Sequence, residues 1–230
     1  AAFLLPIIHK LITSEKSEED INALVIVPTR ELAIQIAQNL EAFSYFTPIS
    51  SIAIYGGGDG SSFESEKRAL SNGVDIAICT PGRMISHLAS GYVRIKGLKY
   101  LILDEADRMC DMGFLPDIRR ILTHLPKQRQ TLFFSATMPE DIRQLSRDIL
   151  TNPVTVQIGQ IAPAETVAHA LYPVTDGLKT KLLFAMLERT PTGRVIVFTR
   201  TKRRARFLAA DLEAKKYRVA ALQGNMAQNR

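Results

Sequence analysis

Two adjacent carboxylates end the apolar run Leu101-Ile102-Leu103, and the stretch Asp104-Glu105-Ala106-Asp107 continues as Arg108-Met109-Cys110-Asp111-Met112-Gly113-Phe114. A run this apolar reads as a buried parallel strand, whose interior would not tolerate unpaired acids. The acids therefore belong at the carboxyl edge of an α/β sheet, where ligands bind. There Asp104 could hold Mg²⁺ through its water shell while Glu105 polarises an attacking water. A structural reading competes: Asp104 caps the following helix, and Glu105 and Asp107 favour its positive end.

The same event recurs along the chain: an apolar strand ends, a polar motif follows, a helix begins. The other tails are Pro28-Thr29-Arg30-Glu31, Thr80-Pro81-Gly82-Arg83, Ser135-Ala136-Thr137 and Thr199-Arg200-Thr201. Small hydroxyls, helix N-termini and arginines suit binding to successive phosphates, a geometry that reads backbone rather than base sequence. Each tail also has a capping explanation. Thr80-Pro81 is an N-cap followed by proline at the first helical position. Thr137 with Glu140 forms a capping-box pattern around Met138-Pro139.

The elements that must position these tails follow from periodicity. Strands are expected at 23–27, 51–55, 75–79, 99–103 and 131–134, with a short one near Val154. Helices are expected over 1–11, after Pro28-Thr29-Arg30-Glu31 through about Phe43, over 63–70, after Thr80-Pro81, twice after the acidic motif, and over 139–149. Residues 159–168 have linker composition. Beyond them the alternation restarts with helix 179–188, strand 194–198, helix 202–216 and strand 218–221. Strands and helices alternating through short connections describe a doubly wound parallel sheet.

Bulk properties limit the function classes. With 46% hydrophobic and 23% charged residues, the 230-residue chain can build a real core. No apolar run approaches the ~18 residues of a transmembrane helix, and the apolar start lacks the basic flank and cleavage site of a signal peptide. Cys79 and Cys110 make neither a disulfide framework nor a zinc pattern, which fits a reducing cytoplasm. The four histidines show no metal-ligand spacing. Charge is uneven: 13 Lys/Arg stand against 3 Asp/Glu after residue 176, and 16 against 20 over residues 1–176. A basic C-terminal part points to a polyanionic partner, or simply to a solvated basic helix face.

In this order, the tails resemble the motif series of the DEAD-box RNA helicases, a resemblance covering nearly the whole chain. It implies a RecA-like fold, with one nearly complete domain at 1–158, a linker at 159–168 and the start of a second domain at 169–230. It implies ATP and Mg²⁺ as cofactors and single-stranded or short duplex RNA as partner. Pro28, Thr29, Arg30, Gly57, Thr80, Pro81, Gly82 and Arg83 match elements that grip RNA backbone, and Thr199, Arg200 and Gly224 match RNA contacts of the second domain. Asp104 would coordinate Mg²⁺ through water and Glu105 would activate the attacking water. Ser135 and Thr137 match the element coupling hydrolysis to strand separation, with Asp107 as its partner.

There are departures from the pattern. No Gly-Lys-Thr or Gly-Lys-Ser occurs, so no P-loop holds the nucleotide, and the arginine-finger motif would lie beyond Arg230. The 230 residues alone are therefore expected to be nearly inert as an ATPase. The loop after Gly57 is about two residues longer than usual. Glu66 stands where the family commonly has glutamine. Alternative functions are an RNA-binding or regulatory module without turnover, and a helicase acting on DNA. Replacing Arg83 is expected to weaken RNA binding uniformly and make its salt dependence shallower.

Overall fold

A computed structural model describes residues 2–57, 60–158, 167–189 and 193–223. The chain divides into two compact units, Ala1–Val156 and Gln157–Arg230.

The first unit is organised on five strands: β1 (Ala23–Ile26), β2 (Ser51–Ile54), β3 (Ile76–Cys79), β4 (Tyr100–Leu103) and β5 (Gln130–Phe133). All pairings are parallel, in the order β2-β3-β1-β4-β5. Each strand lies within one residue, at either end, of the range expected from the sequence. β1 and β3 are buried at every position, as strands covered on both faces must be. The pairings align Ile54, Cys79, Ile26, Leu103 and Phe133 in one row. All five strands therefore end level, and their tails emerge at one edge.

Seven helices cover the sheet: α1 (Leu4–Thr13), α2 (Arg30–Ser44), α3 (Gly60–Asn72), α4 (Pro81–Ala89), α5 (Ala106–Asp111), α6 (Leu115–Leu122) and α7 (Glu140–Ile149). Alternate strand residues feed two cores. Ala23, Val25, Ile76, Ile78 and Ile102 pack against Leu4, Ile7, Ile8 and Leu11 of α1 and Ala33, Ile36 and Leu40 of α2. Leu24, Ile26, Ala77, Cys79, Leu101 and Leu103 meet Leu70 of α3, Met84 of α4, Met109 of α5, Ile118 of α6 and Leu145 of α7. Each fully buried Leu or Ile adds about 1.5–3 kcal/mol.

This arrangement creates a switch point. β1 leads into α2 on one face, and its neighbour β4 leads into α5 on the other. Adjacent strands whose tails depart to opposite faces leave a crevice between them, and Asp104 stands at its lip.

The second unit contains a 3₁₀ turn at Asp176–Leu178, α8 (Lys179–Arg189) and α9 (Lys202–Ala214). Leu208 and Leu212 of α9 are buried, and Phe184 stacks on Tyr217. The strands expected at 194–198 and 218–221 are not formed, nor is the one near Val154 in the first unit. Ile196 is 80% and Phe198 92% exposed, so the apolar pattern there has no packed face. A parallel strand is stabilised by ladder partners and by helices over its faces, and the described residues of this unit provide no ladder.

Candidate active site and nucleic-acid interface at the strand ends

Asp104 follows β4 directly, and its N–H donates to the Ile26 carbonyl of β1 at 3.1 Å, fixing it beside the crevice. Its half-buried carboxylate accepts the Glu105 N–H at 3.0 Å. Burial pushes the Asp104 carboxyl up; the Glu105 N–H opposes this and the Glu105 carboxylate adds to it. Asp104 does not cap α5, whose first donors are used elsewhere. The Ala106 N–H goes to the Phe134 carbonyl at 3.0 Å, and the Asp107 N–H to the Ser135 hydroxyl at 3.2 Å. The capping reading of Asp104 is thereby overturned: β5's tail does that work and leaves the carboxylate facing the crevice.

Glu105 occupies the left-handed region at φ 51°, ψ 49°, a conformation that costs a non-glycine residue roughly 1–2 kcal/mol. Its Oε2 accepts from Arg108 Nη1 of α5 at 3.1 Å. Asp107 lies in the first turn of α5. Its Oδ2 accepts both the N–H and the hydroxyl of Thr137, each at 2.8 Å. The Ser135 hydroxyl donates to the Thr137 carbonyl at 2.7 Å. Burial alone would raise the Asp107 carboxyl, but the bonds from Thr137, Arg108 and Ser135 outweigh it and hold the group below its ordinary range. The capping box expected of Thr137 and Glu140 does not form. Pro139 is the N-cap of α7 without a side-chain bond, and Glu140 instead pairs with Arg147 at 2.6 Å. Thr137 is committed to a partner 30 residues away.

The remaining tails of the first unit line the same edge. Buried Pro28 ends the β1 segment, and Thr29 caps α2 by accepting the Leu32 N–H at 3.3 Å. The Arg30 guanidinium lies over the Tyr55 ring at 5.6 Å, and its Nε is buried without a partner. Gly57 has φ +89°, and a Cβ there would come within 2.6 Å of Arg30 Nη1. The structure thus joins Arg30 to Gly57. Thr80 precedes α4 with no side-chain cap bond, leaving its hydroxyl available beside buried Pro81 and exposed Gly82. Arg83 turns inward: its Nε donates to Glu66 Oε2 at 2.7 Å and its guanidinium covers Phe63 at 4.6 Å. In the second unit the Thr199 hydroxyl donates to the Thr201 carbonyl at 3.0 Å, Thr201 caps α9, and Arg200 is exposed. Gly224 and most of the expected linker (159–166) lie outside the described residues.

No three His, Cys, Asp or Glu side chains converge as a metal cage among the described residues. A magnesium ion held by one carboxylate, waters and substrate phosphates needs no such cage, and the Asp104 carboxylate fits that role.

Residues 1–145 match the family model described as DEAD/DEAH box helicase. The chain belongs to this family. It is 39% identical over 229 residues to the ATP-dependent RNA helicase DeaD of Buchnera aphidicola subsp. Acyrthosiphon pisum, covering 99% of this chain and 37% of that protein. It is 38% identical to the DEAD-box ATP-dependent RNA helicase RhpA of Helicobacter pylori (strain B128), across 99% of this chain and 45% of the relative. With the ATP-dependent RNA helicase vasa of Drosophila melanogaster it shares 37% identity over 234 residues, all of this chain and 35% of that one. The chain therefore spans well under half the length of these relatives.

For this DEAD/DEAH box chain, sequence reasoning missed a cluster behind Arg83. His87, fully buried on α4, bonds Glu66 Oε2 through Nε2 at 2.7 Å and the Tyr92 hydroxyl through Nδ1, and it stacks on Phe63 at 4.4 Å. One signal was available: His87 lies four residues after Arg83, on the same helix face.

Proposed function

We propose that these residues form the hydrolytic and RNA-gripping core of an ATP-dependent RNA helicase, with the first unit as one RecA-like domain and the second unit as part of another. The observation that carries the reading is the level row of strand tails. It sets Asp104 and Glu105 at the switch point and ties Asp107 to Thr137. A magnesium ion held by Asp104 through water would supply neutralising charge to the nucleotide phosphates. Glu105 would orient the attacking water and take up its proton. The Asp107–Thr137 contact joins the acid-bearing turn to the tail of β5, so a change at the nucleotide would be felt there. Thr29, Arg30, Gly57, Thr80 and Gly82 offer hydroxyls, a cation and close backbone approach to consecutive RNA phosphates. Thr199, Arg200 and Gly224 would supply RNA contacts of the second unit. A reducing cytoplasm suits the two free cysteines.

The 230 residues contain no Gly-Lys-Thr or Gly-Lys-Ser, so the test requires a protein in which a P-loop accompanies them. Glu105→Gln should abolish RNA-stimulated ATP turnover while nucleotide binding persists. Multiple-turnover hydrolysis retained in that variant would remove Glu105 as the general base.

A further inference from the structure

Arg83 is the cation of its strand tail, yet it does not face solvent freely. Its side chain is 16% exposed, and its Nε bonds a carboxylate whose own side chain is 6% exposed. Phe63 covers the guanidinium face, and Nη2 is buried with no partner among the described residues. Glu66 is held just as firmly from its other sides. His87 Nε2 must carry the proton it gives to Oε2, because a carboxylate only accepts; burial favours the neutral ring, in which Nδ1 accepts the Tyr92 hydroxyl. Ser62 donates to Oε1 at 3.4 Å. Thus a neutral histidine, fixed in one tautomer, holds the carboxylate against the arginine.

A carboxylate and a phosphate are equivalent partners for a guanidinium fork. We propose that Glu66 is an internal competitor for RNA phosphate, neutralising Arg83 in the free protein and thereby setting the strength and salt dependence of the grip at this strand end. The inference rests on the RNA reading above and refines the sequence expectation for Arg83. A cation already paired releases no additional counterion when RNA binds, so it adds little to the salt slope.

The experiment is binding of a fluorescent single-stranded RNA oligomer to the protein and its variants between about 50 and 200 mM salt, read by anisotropy. Glu66→Gln, with its amide oxygen at the Oε2 position, keeps the acceptor shared by Arg83 Nε and His87 Nε2 but removes the charge, and its amide nitrogen can donate to the Ser62 hydroxyl. This variant should bind more tightly at low salt, with a slope steeper by about 0.7, equal to one more phosphate and roughly a threefold larger loss of affinity across that range. Adding Arg83→Gln to it should return the slope to the wild-type value. Arg83→Gln alone should move the slope by less than about half that amount. If Glu66→Gln leaves the slope unchanged, or if Arg83→Gln alone removes a full phosphate's worth, the competitor role falls while the RNA reading stands. A wild-type protein with no salt-dependent RNA binding would overturn both.

Discussion

Breaking the bond between Asp107 and Thr137 tests how β4's acidic turn is fastened to β5. Asp107 Oδ2 receives the N–H and the hydroxyl of Thr137, each at 2.8 Å. Hydrogen bonds to a charged partner contribute about 1.5–3 kcal/mol each, but these two are solvent-exposed, and screening discounts them below that range to a joint value of about 2 kcal/mol. Asp107→Ala should lower stability by about that amount, a shift of roughly 4–8 °C in midpoint for a unit of this size. Thr137→Val removes the hydroxyl and keeps the N–H. The double-mutant cycle between the two should give a coupling of about 1 kcal/mol, measured by urea denaturation. The carboxyl is held below its ordinary value, so this stabilisation is complete above the unfolded carboxyl pKa of about 4 and disappears as pH falls through the lower folded value. A cycle with no coupling at neutral pH, or a coupling that does not weaken as the pH is taken down from about 4, would refute the argument.

Two further outcomes can be checked with the same methods. Gly57→Ala should be destabilising by about 1–2 kcal/mol, since the residue has φ +89° and the new Cβ would meet Arg30 Nη1 at 2.6 Å. A neutral thermal shift there would show that the loop relaxes freely. Burial pushes the His87 imidazole below its ordinary pKa, although Glu66 pulls upward; Arg83 adds to the lowering. His87 therefore contributes stability that is present above about pH 6.5 and lost as pH falls through its lower folded value. The melting temperature should drop on that acid limb, and His87→Asn should flatten it; an unchanged limb in the variant would assign the pH dependence to other groups.

The first sheet was legible because its strands are short, mostly apolar runs, each followed by proline, glycine, an acid or a small hydroxyl, and both signals are local. The position of Asp104 was legible for the same reason. Of the two readings of Thr137, the capping box failed because it is a local pattern, whereas the partner that the resemblance implied, Asp107, lies 30 residues upstream and becomes a neighbour only when β4 pairs with β5. Likewise, Glu66 and Arg83 are 17 residues apart on different helices, and no periodicity links them. At 194–198 the failure is of another kind. The run Val195 to Phe198 has the composition of a buried strand, but composition cannot supply a ladder, and those residues are largely exposed.

The way α5 begins has a consequence for the order in which the molecule is built. A helix usually finds its first partners within its own turn, so it can form early and locally. Here the opening amides of Ala106 and Asp107 are satisfied by Phe134 and Ser135, across a gap of 28 residues that includes α6. Closing that gap carries the entropy of a long loop before any bond rewards it. The acid-bearing turn therefore becomes rigid only once β5 has docked beside β4. Amide exchange at Ala106 and Asp107 would act as a clock for the docking of β5.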